Sequence, residues 1–269
     1  MESGFHTSHD GTKIHYRIDD FTDGWKSPES VLLIHGLAEA TEAWNAWVPH
    51  LARDFRVIRF DMRGFGKSTV MPADHCWSAA EIYRDIQGLL AFLGVEKVNV
   101  VGCKSGGALA LGYACMHPDS VRRLAVVGSN PRGPRETWLD HIESHGVESW
   151  LRQTMPKRLA SLSPEAWEWW IDLMGKTPLS TLQGYLRWIP TVNWTDQIAS
   201  IHSPTLVVVA KNNPAHKVDE IEAWQKLIPN SELKVLPVDC SHVGGAYPDQ
   251  CAGMVVEFLK STNLQESLA

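Results

Sequence analysis

The stretch that decides the fold is Val98-Asn99-Val100-Val101-Gly102-Cys103-Lys104-Ser105-Gly106-Gly107. Its apolar beginning is typical of a buried β-strand, and the small residues that follow permit a sharp turn into a helix. A small residue two places before and two places after a central position is the pattern of a strand-turn-helix elbow that presents a nucleophile. Gly102 and Gly106 frame Lys104 in this way, so lysine stands where serine is usual.

A register shifted by one place is the alternative interpretation of this stretch. Cys103 and Gly107 would then frame Ser105, which would be the nucleophile. That register loses the glycine on the strand side of the turn, where the motif needs it. We therefore favour Lys104 and keep Ser105 as the second candidate.

Length, charge and cysteine usage limit the class of protein. A chain of 269 residues is compatible with a single α/β domain that carries an insertion. A net charge of -6 without a basic run argues against a nucleic acid or an anionic membrane as partner. Five scattered cysteines, no targeting signal and no apolar run long enough for a bilayer lead us to expect a soluble, cytoplasmic protein. The histidines lack metal-ligand spacing, and we expect neither a metal nor a cofactor. The oligomeric state stays open.

Strand and helix patterns alternate on both sides of the elbow. Buried strands are predicted at Ser30–His35 and Phe55–Asp61, and Ser78 with Glu81 forms a capping-box pattern at the start of a helix that ends near Gly94. Such alternation predicts an α/β fold with a mostly parallel central sheet flanked by helices.

The alternation stops between residues 131 and 194. Seven of the twelve tryptophans lie in this segment, and prolines divide it into short pieces. We predict a helical cap at 131–194, inserted into a core formed by 1–130 and 195–269. The inner face of the cap is expected to form an aromatic wall of a pocket, with substrate contacts at Trp138, Trp167 and Trp188.

Four ordered motifs resemble the α/β-hydrolase fold, in particular its capped lactonase and C–C hydrolase-like members. They are His35-Gly36 after the third strand, Asp61-x-Arg63-Gly64-x-Gly66-x-Ser68 after the fourth, the elbow after the fifth, and Ser241-His242 before the last helix. The resemblance covers nearly the whole chain. It implies the α/β-hydrolase fold and a small-molecule carbonyl substrate, but it says less about the reaction, because this fold hosts many chemistries.

The resemblance also implies roles for individual positions. His242 corresponds to the catalytic histidine, and the backbone amides of Leu37 and Ser105 correspond to the oxyanion hole. His35 and Gly36 are expected to contact the substrate.

Two positions depart from the family's pattern. The nucleophile position is Lys104, and the acid position after the seventh strand is Asn213. The other acid position known in relatives, after the sixth strand, reads Gly128-Ser129-Asn130 and also lacks a carboxylate. Replacing the triad acid of a serine hydrolase by an amide lowers the rate about 10⁴-fold, because an amide gives the imidazolium no compensating charge. Epoxide hydrolases and haloalkane dehalogenases need an aspartate at the elbow, so these reactions are disfavoured as well.

Lysine at an elbow suggests its own chemistry. A helix N-terminus and a covering cap both disfavour a charged amine, and a neutral Lys104 is suited to form a Schiff base or to act as a base. If charged, it would pair with a carboxylate or an enolate. The leading hypothesis is an enzyme with the non-standard triad Lys104, Asn213 and His242. It would cleave or form a bond next to the carbonyl of a small, partly apolar substrate by C–C hydrolysis, lactone opening, decarboxylation or retro-aldol lysis.

Two alternatives remain open at this point. One is a serine esterase or lactonase that uses Ser105 as nucleophile. The other is a non-catalytic protein that binds a ligand in a retained pocket.

Overall fold

An eight-stranded sheet forms the centre of the computed structural model, which describes residues 2–135 and 138–261. The strands in chain order are β1 (Glu2–Thr7), β2 (Lys13–Asp19), β3 (Ser30–Ile34), β4 (Arg56–Phe60), β5 (Val98–Cys103), β6 (Val121–Val127), β7 (Thr205–Ala210) and β8 (Ser231–Leu236). Across the sheet they lie in the order β1-β2-β4-β3-β5-β6-β7-β8.

The direction of the strands follows from the connections between them. The turn at Asp10-Gly11, where Gly11 has a φ of 87°, joins β1 and β2 as an antiparallel hairpin, and β2 is antiparallel to β4. Every pairing from β4 to β8 is parallel, because a helix or a longer connection returns the chain to the same edge. The mostly parallel sheet predicted from the alternating pattern is therefore confirmed.

Helices cover both faces of the sheet. In chain order they are α1 (Val48–Leu51), α2 (Ala79–Phe92), α3 (Ser105–Met116), α4 (Trp138–Arg158, broken at Gly146), α5 (Pro164–Gly175), α6 (Leu179–Trp188), α7 (Val218–Gln225), α8 (Val243–Ala246) and α9 (Pro248–Lys260). Helices α4, α5 and α6 lie in the segment 131–194. Within the described ranges, no helix is both long and apolar enough to cross a membrane.

The N-terminus of α2 forms half of the expected capping box. Ser78 Oγ accepts a hydrogen bond from the Glu81 amide at 3.2 Å, as the pattern predicts. The Glu81 carboxylate instead pairs with the buried guanidinium of Arg63, which also holds Asp85. The charged residues of the Asp61-x-Arg63 motif thus fix the loop after β4 from inside the protein.

The turn between β5 and α3 brings the elbow against the end of β3. Lys104 has a φ of 54° and a ψ of -126°, a conformation that side-chain-bearing residues rarely adopt. A Cβ atom at Gly106 would collide with the carbonyl oxygens of Ile34 and His35, so only glycine permits this approach. The carboxyl ends of β3, β5 and β6 consequently meet at one edge, where open α/β sheets bind ligands.

Candidate active site

A cavity of about 1040 Å³ opens at this edge of the sheet. Its floor contains residues that follow β3, β5 and β6, and helices α4 and α7 contribute to its walls. Lys104, Ser105, Leu37 and His242 all line it. The structure thus brings together four of the residues singled out in the sequence.

Lys104 occupies the elbow at the floor of the cavity. Its half-buried side chain extends toward the loop after β8, where Nζ donates a hydrogen bond to the carbonyl oxygen of Ser241 at 2.8 Å. This contact directly joins the elbow to the loop that carries His242.

His242 pairs with a carboxylate that the sequence analysis did not select. Its Nε2 lies 2.8 Å from Oε1 of Glu39, and both side chains are buried. The other ring nitrogen, Nδ1, accepts a hydrogen bond from the Gly245 amide at 3.1 Å. An amide N–H can bond only to an unprotonated nitrogen, so the proton of a neutral His242 is on Nε2 and points to Glu39.

Glu39 is held in place by the turn that follows β3. The Glu39 amide bonds to the Gly36 carbonyl at 3.3 Å, and Ala38 within this turn has a φ of 61°. The Gly36 amide returns a bond to Glu39 Oε2 at 3.0 Å. Burial alone would raise the pKa of Glu39, but the adjacent His242 and the Gly36 amide hold it below its ordinary value.

The two candidate oxyanion-hole residues, Leu37 and Ser105, both line the cavity. Ser105 is the first residue of α3, so its amide N–H has no intrahelical acceptor. Among the residues that the structure describes, neither amide has a protein acceptor. Both N–H groups are therefore available to a ligand oxygen.

The side chain of Ser105 does not meet His242 in this structure. Both ring nitrogens of His242 are engaged by other groups, and the Ser105 hydroxyl is buried near the hydroxyl of Tyr185. Burial raises the pKa of Tyr185, an effect that the nearby Ser105 partly opposes.

Asn213, the residue at the expected acid position, bonds within its own loop. Its Oδ1 accepts a hydrogen bond from the Ala215 amide at 2.9 Å. The charge partner of His242 is Glu39, supplied by the loop after β3 instead of the loop after β7. The reason is local. The turn at Gly36 points the Glu39 carboxylate at the His242 imidazole, whereas the side-chain oxygen of Asn213 bonds to the backbone of its own turn.

The predicted substrate contacts fall into two groups. Trp138 lines the cavity. Gly36 is not among the described lining residues, and its amide donates to Glu39 instead. His35 is fully buried behind the floor, with Nδ1 donating to the Gly36 carbonyl at 2.8 Å and Nε2 accepting from the Met62 amide at 3.0 Å. It supports the backbone beneath the site.

Trp167 and Trp188 pack away from the described cavity wall. Trp167 donates its indole N–H to the Leu159 carbonyl at 2.7 Å, and Trp188 stacks on Trp77 with ring centroids 6.0 Å apart. Both rings hold neighbouring parts of the structure together.

The segment 131–194 instead reaches the site through the loop that carries His242. The carbonyl groups of Lys157 and Arg158, at the end of α4, accept hydrogen bonds from the amides of Ser241 and His242, each at 3.1 Å. From α5, the buried ring of Trp170 meets the His242 imidazole edge-on at a centroid distance of 5.4 Å. The segment therefore orients the histidine as well as covering it.

Positive charge is concentrated around the cavity. Five Lys or Arg residues and two carboxylates are among its described lining, although the chain as a whole carries a net charge of -6. The basic residues are Lys104, Arg132, Arg135, Lys157 and Arg158, and the acidic ones are Glu39 and Glu220. The guanidinium of Arg158 stacks on Trp150, 4.7 Å from the ring centroid. Such a lining favours an anionic ligand.

A metal has no evident place in this site. Within residues 2–135 and 138–261, no group of three or more His, Cys, Asp or Glu side chains is arranged to hold an ion.

Comparisons with known proteins agree with the fold. A family model described as alpha/beta hydrolase fold matches residues 29–157. 2-Hydroxymuconate semialdehyde hydrolase of Pseudomonas sp. (strain CF600) is 40% identical over 107 residues, which cover 37% of this chain and 36% of that protein. Epoxide hydrolase B of Mycobacterium tuberculosis (strain ATCC 25618 / H37Rv) is 34% identical over 119 residues, or 44% of this chain and 32% of that protein. The chain thus spans about a third of the length of these curated relatives.

The solved structure of an enol-lactonase from Burkholderia xenovorans LB400 superimposes over 96% of this chain and 100% of that one, with a TM-score of 0.88 and 21% identity. The sheet order, the elbow and these matches together show that the chain has the α/β-hydrolase fold.

Proposed function

We propose that this protein is an α/β-hydrolase-type enzyme that cleaves or forms a bond next to the carbonyl group of a small, anionic, partly apolar substrate. One observation carries the proposal: Lys104, the buried Glu39–His242 pair and the amides of Leu37 and Ser105 converge on one positively lined cavity. A non-catalytic binding pocket would not need a buried carboxylate-imidazole pair, since desolvating such groups is costly.

Lys104 is suited to hold negative charge on the substrate. Its contact with the Ser241 carbonyl supports an ammonium group, and the free amides of the elbow and of the β3 loop add two neutral donors. Groups of this kind stabilise an enolate or a tetrahedral oxyanion as charge develops on the carbonyl oxygen. The proposed role of Lys104 is therefore a fixed positive charge, in preference to an amine nucleophile.

The Glu39–His242 pair supplies the proton transfer that such a bond cleavage requires. A proton must leave or reach a carbon or oxygen atom beside the carbonyl, and a buried pair at the cavity floor is placed for this step. C–C hydrolysis, decarboxylation, retro-aldol lysis and lactone opening all fit this requirement. The name of the Pseudomonas relative, a semialdehyde hydrolase, supports the first of them.

A serine esterase that uses Ser105 is supported less well. Its hydroxyl would need an imidazole to take its proton, and the two nitrogens of His242 bond to Glu39 and to the Gly245 amide. We expect a fluorophosphonate probe to leave Ser105 unlabelled. Rapid labelling that disappears in Ser105→Ala would favour the esterase instead.

The proposal is tested with a panel of probes that separates the reactions. The panel consists of 2-hydroxymuconate semialdehyde for C–C hydrolysis, acetoacetate for decarboxylation, 4-hydroxy-2-oxopentanoate for retro-aldol lysis, and p-nitrophenyl acetate for ester hydrolysis. We expect turnover of at least one of the three anionic carbonyl compounds, and slow or no hydrolysis of the neutral ester. If none of the three reacts and an anionic enol-lactone is not opened either, the proposed function is wrong.

Lys104→Met provides the matched test of the elbow residue. Methionine retains the length of the side chain and the same backbone strain, but it has no charge. We expect kcat/KM to fall about 10²- to 10³-fold, the usual loss for one oxyanion-stabilising donor. Lys211→Met, on the exposed loop after β7, is the control. Borohydride treatment with substrate should give no adduct on Lys104, and a stable adduct would replace the ammonium role with a Schiff base.

A further inference from the structure

We propose that Glu39 is the catalytic base of this site and that His242 acts as its positioning partner, which reverses the usual direction of a carboxylate-histidine pair. The assignment takes the type of reaction from the proposed function. Which member of the pair accepts the substrate proton is inferred from the geometry of the protein without substrate. It starts from the two hydrogen bonds made by the imidazole.

The His242 ring has no lone pair left for a substrate proton. Nδ1 accepts from the Gly245 amide at 3.1 Å, and this bond requires Nδ1 to be unprotonated. The remaining proton is then on Nε2, which lies 2.8 Å from Oε1 of Glu39. A neutral imidazole in this state is a donor to the carboxylate, and accepting a further proton would break its bond with Gly245.

Glu39 has the capacity that His242 lacks. An ionised carboxylate has about four lone-pair directions. The donors to it in the described part of the chain are His242 Nε2 on Oε1 and the Gly36 amide, 3.0 Å from Oε2. The residue lies in the cavity lining next to Leu37 and the elbow, so an unused lone pair can meet a substrate atom.

The surroundings of Glu39 keep it ionised and fixed. It is only 2% exposed, and its titratable or charged neighbours are His242, His35, Cys103 and Tyr185, with Lys104 in the same cavity lining. His242 and the Gly36 amide stabilise the charged form and hold the pKa of Glu39 down. The carboxylate is thus preorganised, as a base must be to act without rearrangement.

The proton transfer balances with the groups present. In retro-aldol lysis, Glu39 takes the proton of the substrate hydroxyl group, and the O–H electron pair forms a new C=O bond. The C–C bond between that carbon and the carbon beside the carbonyl breaks, and its electron pair moves to the carbonyl oxygen to form an enolate. The negative charge passes from Glu39 to that oxygen, where Lys104 and the amides of Leu37 and Ser105 stabilise it. Glu39, now a neutral acid, returns the proton to the enolate carbon after the aldehyde has left. His242 keeps its Nε2 proton throughout.

The first test reads the protonation of His242 directly in the 269-residue chain without any substrate. In a long-range ¹H–¹⁵N spectrum of ¹⁵N-histidine-labelled protein at pH 7.5, we expect the proton on Nε2 and a lone pair on Nδ1. His35 is an internal reference of the opposite tautomer, because its Nδ1 donates to the Gly36 carbonyl and its Nε2 accepts from Met62. A His242 ring protonated on Nδ1, or on both nitrogens, would overturn the assignment.

The second test separates the base from its partner with the most reactive panel compound. Glu39→Gln removes the base, and we expect kcat to fall about 10³-fold, within the range for loss of general base catalysis. His242→Gln offers an amide N–H in place of Nε2–H, so we expect its kcat to stay within about tenfold of wild type, and His242→Ala to lose more because it has no donor. If His242→Gln is as inactive as Glu39→Gln, or if Glu39→Gln retains wild-type kcat, the assignment fails.

The two tests also distinguish this inference from the proposed function. A wrong tautomer together with turnover of the panel would refute the role of Glu39 and leave the enzyme proposal intact. If His242 has the predicted tautomer but no panel compound reacts, the enzyme proposal is refuted, and Glu39 then has no reaction in which to act as a base.

Discussion

Gly36→Ala probes the Glu39–His242 pair without replacing either partner. A Cβ atom at Gly36 would lie 2.7 Å from Oε1 and 3.1 Å from Cδ of Glu39, whereas ordinary van der Waals contact begins at 3.4 Å. The carboxylate must therefore move by about 0.7 Å. Since Oε1 is the atom bonded to His242 at 2.8 Å, a movement of this size weakens that bond severely.

The expected magnitude follows from the charge of the lost bond. A hydrogen bond to a buried charged group is worth about 1.5–3 kcal/mol, so we expect the free energy of unfolding to fall by about 2 kcal/mol in urea denaturation. Displacement of a catalytic group by close to 1 Å should lower kcat/KM by up to about 10²-fold. The backbone at Gly36 is open to alanine, so conformational strain does not contribute.

Gly253→Ala is the matched control for this substitution. Gly253 lies in α9 with no heavy atom within 4 Å of its added Cβ, and alanine there should be neutral or stabilising by up to about 1 kcal/mol. If Gly36→Ala unfolds at the same urea concentration as wild type and turns over substrate at the same rate, the Glu39–His242 geometry does not matter for either property, and our reasoning about the site is refuted.

Three further predictions test other parts of the structure. Trp170→Ala should destabilise the protein by about 3–5 kcal/mol in urea denaturation, because it empties a buried indole site against the His242 imidazole. Trp169→Ala, on a ring that is 44% exposed, should change stability by less than about 1 kcal/mol, and equal effects of the two substitutions would contradict the packing described. The folded-state pKa of Glu39 lies below its ordinary value of 4.5, so its contribution to stability is present above that pH and is lost as the pH falls toward the folded pKa. As the pH falls below about 5, the free energy of unfolding should therefore decrease less in Glu39→Gln than in wild type. The same pH dependence in both proteins would contradict this. Arg158→Ala should raise KM for an anionic substrate about tenfold, with a smaller effect on kcat. Arg152→Ala, on the exposed side of the same helix, is the control and should leave KM unchanged. The same KM in both variants would argue against a charged lining that binds the substrate.

The fold could be predicted from the sequence because its signals are local. The elbow at Gly102 to Gly106, the His35-Gly36 pair and the alternating strands each depend on neighbouring residues, and each lies where the pattern indicated. Lys104 was found for the same reason, since its position is defined by two glycines close to it in the chain.

The partner of His242 could not be found by such reasoning. Glu39 is 203 residues away in sequence, and its neighbours in Leu37-Ala38-Glu39-Ala40 give no sign of a catalytic carboxylate. Its position three residues after Gly36 allows a tight turn to direct the carboxylate to the Gly36 amide, but only the folded chain brings His242 to it. The family's spacing points to Asn213, but the side chain of that residue bonds to the backbone of its own loop.

The roles expected for tryptophans depended on tertiary contacts in the same way. Trp138, Trp167 and Trp188 all lie in the tryptophan-rich segment 131–194. Only the packing of α4, α5 and α6 places Trp138 on the cavity wall and the other two rings in structural contacts. Trp170 was not selected because its contact with His242 joins two distant parts of the chain.

The most direct test of the account is the ratio of kcat/KM between wild type and Lys104→Met for the panel compound that reacts best, with Lys211→Met measured alongside. We predict a ratio of about 10² or more for Lys104→Met, as expected for loss of a charge at the developing oxyanion, and a ratio near one for Lys211→Met. Equal activity of wild type and Lys104→Met, or no turnover of any anionic carbonyl probe by the wild-type protein, would contradict it.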